Sequence, residues 1–211
     1  MKLKKLVMTA FGPYAKREEI DFEEKLDGSR IFLITGNTGA GKTTIFDGIN
    51  FALYGEASGS ERDGKSLRSD YADLETKTEV ELHFSIRDKS YVVKRSPQYF
   101  RKKKNGDGVT ESKPTAELRI EKYLDNEGKV VTGSKEVTRN IEEIMGINAE
   151  QFKQLVMIPQ GEFKKLLNSD SDKKEEIFRK IFETNIFAKA QENIKEEAHK
   201  WQKNVESIQL E

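Results

Sequence analysis

The segment Gly36-Asn37-Thr38-Gly39-Ala40-Gly41-Lys42-Thr43 constrains this chain more than any other stretch. Glycines at positions 36, 39 and 41 let the backbone curl so that successive N–H groups point inward and form an anion nest. The apolar run Ile31-Phe32-Leu33-Ile34 precedes the loop and reads as a buried strand. Ile45, Ile49, Ala52 and Leu53 follow at helical spacing and share one face of a helix that closes at Tyr54-Gly55. A helix starting near Gly41 adds its positive N-terminal end to the nest. The chemistry this predicts is binding of a nucleoside triphosphate: Lys42 reaches the β and γ phosphates, and the Thr43 hydroxyl ligates magnesium. The expected contact set around ATP and Mg2+ is Gly36, Asn37, Thr38, Gly39, Ala40, Gly41, Lys42, Thr43 and Thr44. A fortuitous glycine-rich turn is the competing reading, and the flanking strand and helix patterns weigh against it.

At 211 residues the chain has room for one large domain, or one domain with an appendage. With 35% charged residues and no apolar run near the eighteen or so residues of a membrane span, it reads as soluble, with no membrane partner. The N-terminus lacks a signal-peptide pattern, and the absence of cysteine rules out disulfides and thiolate metal sites, which fits a cytoplasmic protein. Its 37 basic and 37 acidic residues cancel, so any nucleic-acid contact must be local. The best candidate is Lys94 to Lys104, where Lys94, Arg95, Arg101, Lys102, Lys103 and Lys104 are interleaved with Tyr99 and Phe100. A solvated hairpin tip accounts for the same run.

The remaining pattern divides the chain. Strands are expected at Leu3 to Thr9 and around Ile20-Asp21-Phe22, with a turn at Gly12-Pro13. The stretch from Ser58 to Gly64 is polar and glycine-rich and reads as an exposed loop. Val80, Leu82, Phe84 and Ile86 alternate with Glu79, Glu81, His83 and Ser85, predicting a half-buried strand, with Tyr91 to Arg95 and Ala116 to Tyr123 as antiparallel neighbours. Residues 79–131 therefore read as an antiparallel β layer interrupting an α/β domain of residues 1–170. Helices are expected from Lys135 to Met145, stopped by Gly146, and from Asn148 through Phe152 and Leu155, followed by the turn Val156-Met157-Ile158-Pro159-Gln160-Gly161. In residues 171–211, Phe187, Ile194, Trp201 and Ile208 recur every seven positions, with Gln191, Ala198 and Val205 four after the first three. That is a heptad seam, so this segment is expected to begin a coiled coil, although a helix lying on the domain surface shows a similar stripe.

A self-sufficient P-loop ATPase also carries an apolar strand ending in a carboxylate that holds magnesium. No such run is present; Tyr123-Leu124-Asp125 leads into a turn within a charged hairpin. There is no Ser-Gly-Gly signature of the ABC type and no Asn-Lys-x-Asp sequence for guanine.

The order of phosphate loop, antiparallel insertion, glutamine turn and heptad tail resembles the N-terminal half of an SMC-like ATPase head. More narrowly it is similar to the SbcC family, the ATPase subunits of bacterial SbcCD nucleases that act in double-strand-break repair. The residues carrying the likeness are Phe11-Gly12-Pro13-Tyr14, Ile20-Asp21-Phe22, the phosphate loop with Asp47 and Leu53-Tyr54-Gly55, Val156 to Phe163, and Arg179-Lys180-Ile181-Phe182-Glu183-Thr184.

The resemblance implies an ABC/SMC-type P-loop fold in which Lys42 and Gln160 are the catalytic-site residues of this lobe. Gln160 matches the glutamine that senses magnesium and the γ-phosphate, alongside Thr43 as metal ligand, and Arg68 resembles an arginine brought to the nucleotide across a dimer; an ordinary exposed loop arginine is the other reading of Arg68. It implies that a C-terminal lobe supplies the acidic strand and the signature sequence, so that this chain is an N-terminal lobe or one half of a split head. The implied partners are that lobe, a second head that sandwiches ATP, the SbcD nuclease subunit and double-stranded DNA, with a cytoplasmic, nucleoid-associated location. Two other functions are open to the sequence: a self-contained P-loop kinase or GTPase, and a structural coiled-coil module with an inert nucleotide site.

Overall fold

The computed structural model describes residues 1–26, 31–57, 67–103, 107–121, 128–155, 190–191 and 193–202. Two units divide the chain, Met1–Lys153 and Gln154–Glu211.

Alternation of apolar and charged residues builds the first unit around a sheet. Strand β1 (Lys2–Phe11) turns at Gly12-Pro13 into β2 (Tyr14–Asp21), and β3 (Glu79–Ile86), β4 (Lys89–Ser96), β7 (Thr115–Ile120) and β8 (Lys129–Thr132) complete six antiparallel strands in the order β2-β1-β3-β4-β7-β8. Leu6 pairs with Leu82, and Leu82 in turn with Val93, which pairs with Leu118. All four are fully buried, together with Met8, Val80 and Phe84. Because side chains alternate across a strand, the intervening positions form an outer, charged face. There Lys94 Nζ lies 2.6 Å from Glu79 and 3.3 Å from Glu81, and the His83 ring lies 2.7 Å from the same Glu81. β5 (Tyr99–Lys102) and β6 (Val109–Ser112) form a separate hairpin between β4 and β7.

Three helices matter for the site. α2 (Lys42–Tyr54) lies against β1, β3 and β4, and Gly48 permits this approach: a Cβ there would sit 2.8 Å from the sulfur of Met8. α3 (Ser134–Met145) buries Val137 and Ile141 and stops at Gly146, which adopts φ 71°. α4 (Ala149–Leu155) opens with a reciprocal cap: the Asn148 side chain accepts from the Gln151 N–H at 2.9 Å, and the Gln151 side chain accepts from the Asn148 N–H at 2.8 Å.

The antiparallel strands, α2, α3 and α4 fall where the periodicity places them. Three expectations need correction. Residues 79–131 are not a layer of their own, because β1 hydrogen-bonds directly to β3 and draws the N-terminal hairpin into the same sheet. The short strand at Ile20-Asp21-Phe22 ends at Asp21, whose carboxylate accepts from the Glu24 N–H at 2.9 Å and starts the one-turn-plus helix α1 (Phe22–Leu26). Residues 31–34 form no strand: Ile31 is 89% and Leu33 85% exposed, because no described strand lies beside them to satisfy their backbone. Phe32 sets its ring 5.6 Å from that of Phe22, and Ile34 is half-buried.

In the second unit, residues 193–202 are helical, with Ile194 68% and Trp201 69% exposed. Phe187, Val205 and Ile208 of the heptad seam lie outside the described residues, as do Arg179 to Thr184 and the turn containing Gln160.

Candidate nucleotide site

Gly36 adopts φ 153°, and Gly39 and Gly41 both adopt φ 85°, so the chain turns twice in the left-handed region within the loop. α2 then begins with Gly41 as its cap residue, no side chain caps its first turn, and no acid lies there. The first N–H groups of α2 consequently keep their donors, and its positive end is not neutralised locally. The Lys42 ammonium turns back over the loop and donates to the carbonyls of Gly36 and Asn37, both at 2.7 Å. An ammonium has three donors, so one remains for an anion oxygen at the loop mouth.

The loop rests on the turn between β1 and β2. Tyr14 donates its hydroxyl hydrogen to the Gly41 carbonyl at 3.2 Å. A Cβ at Gly41 would lie 2.8 Å from both Pro13 Cγ and Tyr14 Oη, and one at Gly12 would lie 2.5 Å from Thr44 Cγ2. Both glycines are thus demanded twice, by positive φ and by the closeness of turn to helix. Burial holds the Tyr14 hydroxyl above its ordinary titration range, with Glu18 adding to the effect, so it stays a donor at neutral pH.

These donors fit a triphosphate. Loop amides and Lys42 suit phosphate oxygens, and the exposed Thr43 hydroxyl suits magnesium, which binds through few protein ligands plus phosphate and water. Thr44 faces elsewhere: its side chain is buried under Gly12, which leaves its backbone N–H as what it offers an anion. Among the described residues no cluster of three or more His, Cys, Asp or Glu is arranged to hold a metal ion by itself.

The AAA domain family model matches residues 5–211. This chain belongs to the AAA domain family. The SbcC subunit of the SbcCD nuclease from Vibrio cholerae serotype O1 is 41% identical over 198 residues, which is 94% of this chain and 19% of that protein. Its counterparts from Staphylococcus aureus strains MRSA252 and Newman are 40% identical over 207 residues, 98% of this chain and 20% of each relative. The chain therefore spans about a fifth of the length of these curated relatives.

The AAA domain brings only some of the singled-out residues together. Gly36 to Thr44 assemble as one loop and helix start. Arg68 lies on a segment fastened to the same turn, since the Gly12 N–H donates to the Leu67 carbonyl and the Ser69 N–H to the Ala10 carbonyl, each at 2.9 Å. Its guanidinium, however, is spent on the loop after it: it donates to the Thr76 carbonyl at 2.8 Å, the Thr78 hydroxyl at 2.5 Å and the Asp73 carbonyl at 2.6 Å, and stands 4.9 Å over the Tyr99 ring. Gln160 lies outside the described residues.

The basic run does not survive as one patch. Lys94 is consumed by Glu79 and Glu81 on the outer sheet face, and Arg95 is only 3% exposed on the inner face. Arg101, Lys102 and Lys103 remain at the β5–β6 hairpin, where with Leu74, Lys77 and Tyr99 they line a cleft of about 610 Å³. Lys104 lies outside the described residues.

Arg95 is the residue that the basic-run reading misplaces. Its Nε donates to the Ala52 carbonyl at 2.8 Å, and its Nη2 to the Leu53 carbonyl at 2.9 Å and the Thr138 hydroxyl at 3.0 Å. A cation thus sits at the negative end of α2, satisfying carbonyls that the helix itself leaves open. Burial pulls its pKa down to about 10, which still leaves it charged at neutral pH. The signal lies in the alternation: Tyr91, Val93 and Arg95 share one strand face, and the first two are apolar.

Proposed function

We propose that this chain is the ATP-binding N-terminal lobe of an SMC-like DNA-repair ATPase, the SbcC-type component of a nuclease complex. The observation carrying this reading is that a formed phosphate loop is fed by an apolar run, Ile31 to Leu33, left open to solvent. An exposed apolar strand sequence beside a nucleotide loop is a surface awaiting a partner. The partner it suits is a C-terminal lobe that lays strands beside residues 31–34 and brings the acidic strand and signature sequence absent from this sequence. Lys42 and the loop amides bind the phosphates, Thr43 and Gln160 serve the metal, and hydrolysis of ATP awaits the second lobe. Arg68 reaches nucleotide only in a dimer of heads that frees it from the Asp73 to Thr78 loop. The curated relatives are named as components of a nuclease, and with that name go the proposed partners: a second head, an SbcD-type nuclease and double-stranded DNA, in a cytoplasmic, nucleoid-associated setting, with residues 171–211 entering a coiled coil.

Isothermal titration with ATP and magnesium tests the binding, and phosphate release tests the division of labour. Binding heat from the wild-type chain, lost in Lys42→Ala, is expected, with hydrolysis appearing only when the C-terminal lobe is supplied in trans. Full hydrolysis by this chain alone would overturn the proposal, and equal heats from both proteins would point to an inert nucleotide site.

A further inference from the structure

We infer that Arg95 and Tyr54 are positioning residues that transmit occupancy of the phosphate loop through α2 into α3 and α4. The inference rests on reading the loop as the ATP site and extends it to the opposite end of the same helix.

α2 has 13 residues, so its ends stand about 20 Å apart at 1.5 Å rise per residue. Its first turn is the phosphate end. Its last turn is fastened to both following helices by two side chains. Arg95 forks onto the Ala52 and Leu53 carbonyls of α2 and reaches the Thr138 hydroxyl of α3, which itself donates to the Ser134 carbonyl at 2.9 Å. Tyr54 donates its hydroxyl to the Ile147 carbonyl at 3.0 Å, just ahead of α4, and its ring lies 5.4 Å from that of Phe152 within α4. Gly55 makes room for this junction: it ends α2 at φ 81°, and a Cβ there would come within 3.2 Å of Arg95 Nη1.

The junction is cooperative for a physical reason. A buried guanidinium is tolerable only with its acceptors in place, and unravelling the last turn of α2 or the first turn of α3 would strand a desolvated charge. The two turns therefore open together or remain closed together. Phosphate binding at the first turn lowers the population of open α2, and the shared acceptors of Arg95 pass that protection to α3 while Tyr54 passes it to α4. A lysine at position 95 keeps the charge and loses the fork, and a phenylalanine at position 54 keeps the ring and loses the hydrogen bond.

Hydrogen exchange on the full chain, with and without magnesium-ATP, reads this directly when titration calorimetry is run on the same samples. In the wild type, amides of residues 134–153 should exchange about threefold to tenfold more slowly with nucleotide, and Lys42→Ala should abolish the slowing. Arg95→Lys and Tyr54→Phe should each bind nucleotide within about threefold of wild type while losing most of the slowing, in α3 for the first and in α4 for the second. A merely structural role would speed exchange equally with and without nucleotide. Slowing that persists in both variants, or wild-type binding heat with no slowing at residues 134–153, overturns the coupling and leaves the ATP site standing. Absence of wild-type binding heat overturns the ATP site and the coupling with it.

Discussion

The Tyr14 hydroxyl donates to the Gly41 carbonyl across 3.2 Å, so the turn between the first two strands props the last glycine of the phosphate loop. Nucleotide affinity should therefore depend on this support as well as on the residues that touch nucleotide. Gly41→Ala places a Cβ against Pro13 and Tyr14 and strains a left-handed φ. ATP binding measured by calorimetry should weaken by about fivefold to thirtyfold, as a strain of about 1–2 kcal/mol requires. Tyr14→Phe, which removes one neutral hydrogen bond, should cost about threefold to tenfold.

Ile31 and Leu33 are exposed although their sequence reads as core. Replacing both with serine should leave the melting temperature of this chain nearly unchanged, because surface substitutions without buried contacts seldom exceed about 0.5 kcal/mol. The same double variant should fail to gain ATP hydrolysis when the C-terminal lobe is added, with phosphate release as the measurement. A large loss of stability in the chain by itself would show that the run is already packed.

The hairpin cations are the remaining candidate for contact with DNA phosphates. Replacing Arg101, Lys102 and Lys103 with alanine should reduce DNA affinity and flatten the slope of log affinity against log salt by about 1 to 3, given about 0.9 per phosphate contact. Lys102 already pairs with Glu75 at 2.9 Å, so its share is the smallest expected. An unchanged slope would return the hairpin to the status of a solvated tip.

Glu81 makes the outer sheet face sensitive to acid. Burial works against its charge, but hydrogen bonds from His83 and Lys94 outweigh that cost and hold its carboxyl below the ordinary 4.5. A depressed carboxylate contributes stability above its unfolded value and loses it as pH falls through the folded one. Unfolding free energy should accordingly fall as the pH drops below about 4.5. Glu81→Gln should remove this group's share of that fall, as read by denaturant titration at a series of pH values.

What is legible in the sequence follows from how local each signal is. The loop, the glycine stops at Gly55 and Gly146, and the strand Glu79–Ile86 depend on residues a few positions apart, and each lies where expected. Arg95 escapes such a reading because its neighbours in sequence are basic while its neighbours in space are helix carbonyls. The run 31–34 escapes it for the opposite reason: its composition suits a buried strand, but a strand exists only when another lies beside it. Asp21 carries both meanings, closing β2 and capping α1, and spacing alone does not separate them.

The bare run at 31–33 also bears on how this chain behaves in a test tube. Its 37 cations and 37 anions leave no net charge near neutral pH, so molecules approaching one another meet no long-range repulsion. Two copies that meet through Ile31 and Leu33 would each hide what the other exposes. Clouding on concentration, relieved by moving the pH away from neutrality, is the colloidal signature of a surface shaped for company.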